Sequence, residues 1–180
     1  ALPTEQWEAL PRYRFEVDTV AYALNVNLML GSTPATQTEF IVPDRFAGVD
    51  SGLRDIEAWC GTQELSIELV RAGVIRVGGH QPCQSLRLSY RVVAAPELGV
   101  GGRHAPHVSA RQMLIYGQTA LIVPRGAVET GIEFFAPSQW RVATSWRPAL
   151  VGGEGAIAPV EGTDRVRWRF VTQNMAHLLD

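Results

Sequence analysis

The sequence predicts an all-β domain: a mainly antiparallel β-saddle or sandwich of about ten strands, with a short helical turn at each end. Most of its apolar residues alternate with polar ones at a period of two, as they do in half-buried strands. The alternating segments are short, and turns rich in Gly and Pro separate them. Residues 114–123 are apolar on both alternating faces, which predicts a central strand buried on both sides and ended by Pro124.

The composition is that of a single globular domain. A chain of 180 residues buries roughly two-thirds of its unfolded surface. The net charge of −2 gives no electrostatic argument for a nucleic-acid partner. No apolar run approaches the ~20 residues of a membrane-spanning helix. All 16 basic residues are arginine and are spread along the chain, so we interpret them as genomic composition and not as a ligand site.

The first half of the chain predicts an N-terminal arm followed by hairpins. Residues 4–9 form one helical turn with Thr4 as its N-cap, and Pro11 ends it. The next two alternating segments are close enough to pair around residues 20–22. The predicted strands of this half cover residues 13–17, 24–30, 39–43, 53–60, 64–70 and 74–77.

The second half predicts longer connections. Residues 94–110 and 147–163 are interpreted as loops because they are rich in Gly, Pro and Ala. Asn174 is a good N-cap for a helix that is unfinished at Asp180, so we expect the natural chain to continue. The predicted strands cover residues 85–93, 112–123, 128–134, 140–146 and 165–171.

These elements predict three parts of the chain. Residues 1–11 form an N-terminal arm, residues 12–172 a single β-domain, and residues 173–180 the start of a helix that leads into a missing downstream domain. The first residue is not Met, which suits a mature protein after removal of a signal peptide, or an excised part of a longer chain.

The two cysteines, Cys60 and Cys83, have two interpretations. They can form one disulfide, which would stabilise the domain by about 3 kcal/mol. They can equally be two buried thiols, since a free cysteine packs as a small hydrophobic residue.

No motif in the sequence predicts catalysis. His-Glu-x-x-His, Gly-x-Ser-x-Gly and a phosphate-binding glycine loop are all absent. His104 and His107 are the only close pair of histidines, and they have no acidic residue nearby to complete a metal site. The five tryptophans, which can form a sugar-binding platform, are scattered over separate strands, which favours packing instead.

A family resemblance is carried by four segments taken in order, residues 13–17, 86–93, 116–124 and 140–145. Residues 123–126 read Val-Pro-Arg-Gly, and residues 140–145 read Trp-Arg-Val-Ala-Thr-Ser. With these segments the sequence resembles the N-terminal β-domain of the glycyl aminopeptidase family, family sixty-one of the zinc metallopeptidases. In that family a strand ending in Val-Pro-x-Gly precedes a segment like Trp-x-Val-Ala-Thr-Ser.

The resemblance implies a non-catalytic N-terminal domain of a bacterial zinc aminopeptidase-like enzyme, which supports the catalytic domain and shapes its substrate cleft. It implies no catalytic, cofactor-binding or metal-binding residue in this chain, because the zinc and its general base belong to the later domain. The implied partners are that domain of the same polypeptide and the peptide substrate, in the periplasm or outside the cell. One alternative is a freestanding β-sandwich module that binds a carbohydrate or a protein through exposed aromatic residues on a concave face. Another is a self-contained enzyme that uses the loop at residues 94–110.

Overall fold

The computed structural model describes residues 1–31, 37–42, 52–78, 82–93, 107–108, 111–114, 120–126 and 129–172. These residues contain one short helix and fourteen strands, so the predicted all-β class is confirmed. The elements are α1 (Thr4–Ala9), β1 (Arg12–Asp18), β2 (Ala23–Leu30), β3 (Gln37–Ile41), β4 (Leu53–Cys60), β5 (Gln63–Arg71), β6 (Val74–Gly78), β7 (Leu86–Val93), β8 (His107–Val108), β9 (Met113–Leu114), β10 (Val123–Pro124), β11 (Thr130–Pro137), β12 (Arg147–Pro148), β13 (Ile157–Pro159) and β14 (Arg165–Thr172).

Twelve of the described strands form one sheet. Its order is β10-β3-β6-β5-β4-β7-β2-β1-β11-β14-β12, with β13 also paired to β14. The pairings among these described strands are antiparallel except for β1 with β11, which is parallel. The separate pair β8–β9 is antiparallel as well. The predicted, mainly antiparallel arrangement is therefore confirmed.

The core lies against one face of β1, β2 and β7, which we call the inner face. Tyr13, Phe15 and Val17 of β1 are buried there, while Arg14 and Glu16 point to the opposite, outer face. Burying one such side chain stabilises the fold by about 1.5–3 kcal/mol. The period-two pattern in the sequence therefore follows from this single buried face.

The sheet folds back over its own inner face. β7 and β3 are separated by β4, β5 and β6 in the sheet order, a distance of roughly 19 Å in a flat sheet. Nevertheless the Tyr90 hydroxyl on β7 accepts a hydrogen bond from the N–H of Ile122. Ile122 directly precedes β10, the strand that pairs with β3. The bend occurs in β5, which pairs with β4 only up to Leu65 and then with β6. Buried residues of both layers, Phe40 and Tyr13 among them, share one hydrophobic cluster.

The predicted central strand at residues 112–123 is wrong in its placement. β9 ends at Leu114, which is 53% exposed, and β10 begins only at Val123, at one edge of the sheet. Residues 120–123 are buried in the hydrophobic core as expected, but residues 120–122 do not form a strand. Residues 115–119 lie outside the described part of the chain.

Three further local predictions are corrected. Residues 140–146 are not a strand, and the predicted loop at 147–163 contains β12 and β13. The cause is that β12 and β13 pair with β14 along the edge that a strand at 140–146 would need. Pro3, not Thr4, occupies the N-cap position of α1, with no side-chain capping bond.

Other predictions fall where the structure gives no description. The helix start at residues 173–180 lies outside the described residues. So do His104 and most of the loop at 94–110, whose residues 107–108 form β8. The division of the chain at residue 172 therefore stays a prediction. No helix among the described residues is long and apolar enough to cross a membrane.

Candidate functional site

An apolar surface on the inner face of β11, β14 and β13 is the candidate site. The strand register sets Phe15, Phe134, Trp168 and Ile157 side by side in one row across four strands. Burial decreases along this row: Phe15 is 2% exposed, Phe134 and Trp168 are half-buried, and Ile157 is 55% exposed. We call Phe134, Trp146, Trp168 and Ile157 the aromatic edge.

Ring contacts hold the buried side of the aromatic edge in place. The Phe134 ring stacks on Phe15 at 4.6 Å between centroids and on Trp146 at 6.0 Å. Trp146 also meets Phe170 edge-on at 6.3 Å. Such geometries stabilise an aromatic pair by about 0.5–1.5 kcal/mol beyond the burial of its area. The segment 140–146, although not a strand, therefore covers part of the inner face and leaves the outermost strands open.

The neighbouring rows of the inner face are apolar as far as the sheet edge. Each begins with a buried residue on β1 or β11 and ends with an exposed proline on β12 or β13. A proline has no N–H, so these strands offer fewer donors to a strand added at this edge. The two rows are Ala136, Val166 and Pro159, and Tyr13, Ile132, Phe170 and Pro148.

The outer face of the same strands is charged. Arg169 of β14 lies 3.1 Å from Glu133 of β11 and 2.9 Å from Glu154, and Arg167 also binds Glu154. The guanidinium of Arg14 covers a nearby ring, that of Phe135, at 4.3 Å. The same face is also covered at Gly131 by Trp7 of α1, so this side of the strands has partners within the chain.

Two buried tyrosines hold residues 120–123 over the core. The Tyr13 hydroxyl donates to the Ile122 carbonyl at 2.6 Å, and the Ile122 N–H donates to the Tyr90 hydroxyl at 3.2 Å. Burial raises the pKa of Tyr13 well above its usual value and raises the pKa of Tyr90 as well. Both hydroxyls therefore stay protonated near neutral pH, and their contacts serve the fold.

The two cysteines form a disulfide in the structure. The Cα atoms of Cys60, at the end of β4, and Cys83, just before β7, are 5.8 Å apart. The bond closes the stretch of chain that contains β5 and β6. Both cysteines of the sequence are used in it, so neither supplies a free thiol as nucleophile or metal ligand.

The residues that the structure describes do not fit a zinc ion. No group of three or more His, Cys, Asp or Glu among them is close enough together to hold a metal. A protein zinc site needs at least three such ligands. His104 lies outside the described residues, and the side chain of His107 is not described.

Sequence reasoning missed both the tyrosine contacts and the aromatic edge. The signal for the first was a hydroxyl-bearing residue, Tyr13 or Tyr90, within an otherwise aliphatic and aromatic row. The signal for the second was only partial: Trp168 alternates with arginines, but Ile157 lay in a predicted loop. Its place beside Trp168 depends on a strand register that one sequence does not reveal.

Comparison with known proteins gives structural matches only. No protein-family model and no curated protein matches the chain. The structure of an aminopeptidase N family protein from Idiomarina loihiensis matches with a TM-score of 0.68 and 15% identity, over 94% of this chain and 28% of that one. The structure of an M1 zinc metallopeptidase from Deinococcus radiodurans matches with a TM-score of 0.50 and 14% identity, over 90% of this chain and 38% of that one.

These matches show what the fold is. The chain spans between about a quarter and two-fifths of the length of the solved chains that it matches. The resemblance to a domain of zinc metallopeptidases, predicted from short strand segments, is confirmed at the level of fold. The chain therefore has the fold of part of the aminopeptidase N and M1 zinc metallopeptidase structures.

Proposed function

We propose that this chain is the non-catalytic N-terminal β-domain of a zinc aminopeptidase-like metallopeptidase, where it supports the catalytic domain and shapes the substrate cleft. One observation carries the proposal: nearly all of this chain matches only a minor part of two solved chains of that class. A shared fold does not by itself imply a shared function, so the role is argued from the described residues.

The described residues suit a support better than a reaction centre. The buried hydroxyls of Tyr13 and Tyr90 are engaged with the backbone, and the two cysteines are joined. Zinc, with the water that it activates, would be held by the downstream domain of the same polypeptide. The partners of this chain are then that domain and, at the cleft, the peptide substrate.

The disulfide supports an exported location. Disulfides persist in the periplasm or outside the cell and are rare in the reducing cytosol. Cys60 and Cys83 are bonded in the structure, and Cys83 is buried. We therefore propose that the enzyme lies in the bacterial periplasm or outside the cell, as the family resemblance implies.

The test is the activity of the complete encoded polypeptide. We expect its coding sequence to continue beyond residue 180 into a His-Glu-x-x-His segment with a later glutamate. The purified protein should release 4-nitroaniline from aminoacyl anilides, lose that activity with a zinc chelator and regain it with zinc. The first glutamate of that segment changed to Gln is the matched control. An open reading frame without such a domain, or chelator-insensitive activity, would overturn the proposal.

A freestanding binding module is the second candidate, and the aromatic edge is the observation in its favour. The edge suits a protein better than a sugar, because its rows end in Ile157, Pro148 and Pro159, which bear no side-chain hydrogen-bonding groups. Sugars require such groups next to a stacking ring. This candidate takes over if the reading frame encodes no further domain.

A further inference from the structure

We propose that the aromatic edge is the surface on which the remainder of the polypeptide docks. The inference rests on the proposed function and goes beyond it by naming the contact surface. The downstream domain would cover Ile157 and Trp168 with apolar side chains of its own and so complete the burial of the inner face.

The burial gradient is the first argument. Across β1, β11, β14 and β13 the inner face stays apolar, but its cover stops before the last strand, where Ile157 is half exposed. The outer face of the same strands has partners within the chain, since Arg169 pairs with Glu133 and Trp7 of α1 lies against Gly131. An exposed apolar surface that has no such cover is typical of a protein contact.

The identity of the occupant follows from chain length and edge chemistry. The two matched solved chains extend far beyond the region that they share with this chain, so a large partner in the same polypeptide is available. A second copy added strand to strand is disfavoured, because Pro148 and Pro159 lie in the two short strands that pair with β14. The remaining way to cover the surface is contact between side chains, which a neighbouring domain provides.

An exposed apolar residue outside the aromatic edge provides the control. Val20 is 88% exposed on the turn between β1 and β2, with polar backbone contacts to Asp18 beside it. It lies on a separate element from the aromatic edge and serves as the matched control position. Ile157 is the best position to probe, because its exposure in this chain makes a substitution there tolerable to the fold.

The experiment measures the reactivity of a single introduced thiol in the complete polypeptide. Ile157→Cys and Val20→Cys are each treated with a maleimide, and each labelling rate is divided by the rate in denaturant. We expect Ile157→Cys to react at least tenfold more slowly than Val20→Cys on this normalised scale. A ratio within threefold would overturn the docking proposal, because an undocked residue 157 is about half exposed.

A second measurement excludes a second copy as the occupant. Protection that persists at concentrations where sedimentation shows a monomer supports docking within one polypeptide, and protection that is lost on dilution overturns it. Ile157→Glu should further raise the rate of trypsin cleavage between the domains at least fivefold, with Val20→Glu unchanged. If these results are not obtained with a polypeptide that has chelator-sensitive peptidase activity, the docking proposal is refuted and the proposed function stands.

Discussion

Removing either buried tyrosine hydroxyl should destabilise the domain through the same residue. Tyr13 donates to the Ile122 carbonyl, and Tyr90 accepts from the Ile122 N–H. Tyr13→Phe and Tyr90→Phe keep both rings in the core and remove only the oxygen. Each single variant therefore leaves one backbone group of Ile122, its carbonyl or its N–H, without its hydrogen-bond partner.

The expected magnitude follows from burial. Ile122 and both tyrosines are nearly inaccessible to water, so water cannot easily replace the lost partner. A buried polar group left without its partner costs about 1–3 kcal/mol. For a chain of this size each kcal/mol lowers the melting temperature by roughly 2–4 °C. We expect each variant to lie in this range.

Urea unfolding followed by tryptophan fluorescence gives the free energy of each variant. Tyr22→Phe is the matched control, because Tyr22 is half exposed on a turn and its loss should change stability by less than about 0.5 kcal/mol. The double variant Tyr13→Phe/Tyr90→Phe should depart from additivity, since both hydroxyls bond to one residue. Single variants as stable as the control would refute the reasoning.

Three further predictions concern other parts of the fold. Cys60→Ser/Cys83→Ser should lower the free energy of unfolding by about 3 kcal/mol, and a reductant should destabilise the parent but leave the variant unchanged in the same urea assay. Gly131→Ala should cost about 1–3 kcal/mol, because its Cβ would lie 2.9 Å from the indole carried by α1, whereas Gly155→Ala meets only ordinary contacts and is the control. Backbone N–H groups, that of Ala21 foremost, lower the pKa of Asp18. The stabilisation that the Asp18 carboxylate provides is thus present above its unfolded pKa of about 3.9 and is lost as the pH falls through its lower pKa in the folded protein. In this acidic range Asp18→Asn should make the measured free energy of unfolding depend less on pH.

The sequence correctly predicts the strands that have one face on the core and the other face in water. Residues 13–17 and 86–93 alternate because one face of β1 and β7 packs on the core and the other meets water. Local pattern and tertiary burial agree in these strands. The same agreement explains why the hairpin around residues 20–22 is predicted correctly.

The failures have a different physical origin. Residues 120–123 are apolar on both sides because the two layers enclose them, and tyrosine hydroxyls take the place of a neighbouring strand. Residues 140–146 alternate because Trp140 and Trp146 pack on the inner face, although this segment pairs with none of the described strands. In both segments the positions of the apolar residues reflect burial, and burial alone does not make a strand. The aromatic edge depends on pairings between segments far apart in the sequence, which no local pattern encodes.

The disulfide and the two tyrosine hydrogen bonds bear on the proposed role, because they fix the layer of the sheet that folds back over the inner face. The Cys60–Cys83 disulfide closes the stretch that contains β5 and β6, and so anchors both ends of the hairpin at which the sheet bends. On the far side of that layer, Tyr13 and Tyr90 hold Ile122, which leads directly into β10. Together the disulfide and the tyrosine hydrogen bonds hold this layer at two separated points. A domain that shapes a cleft in a larger enzyme needs its layers fixed in this way, because a shift of about 1 Å in a supporting wall is enough to impair catalysis.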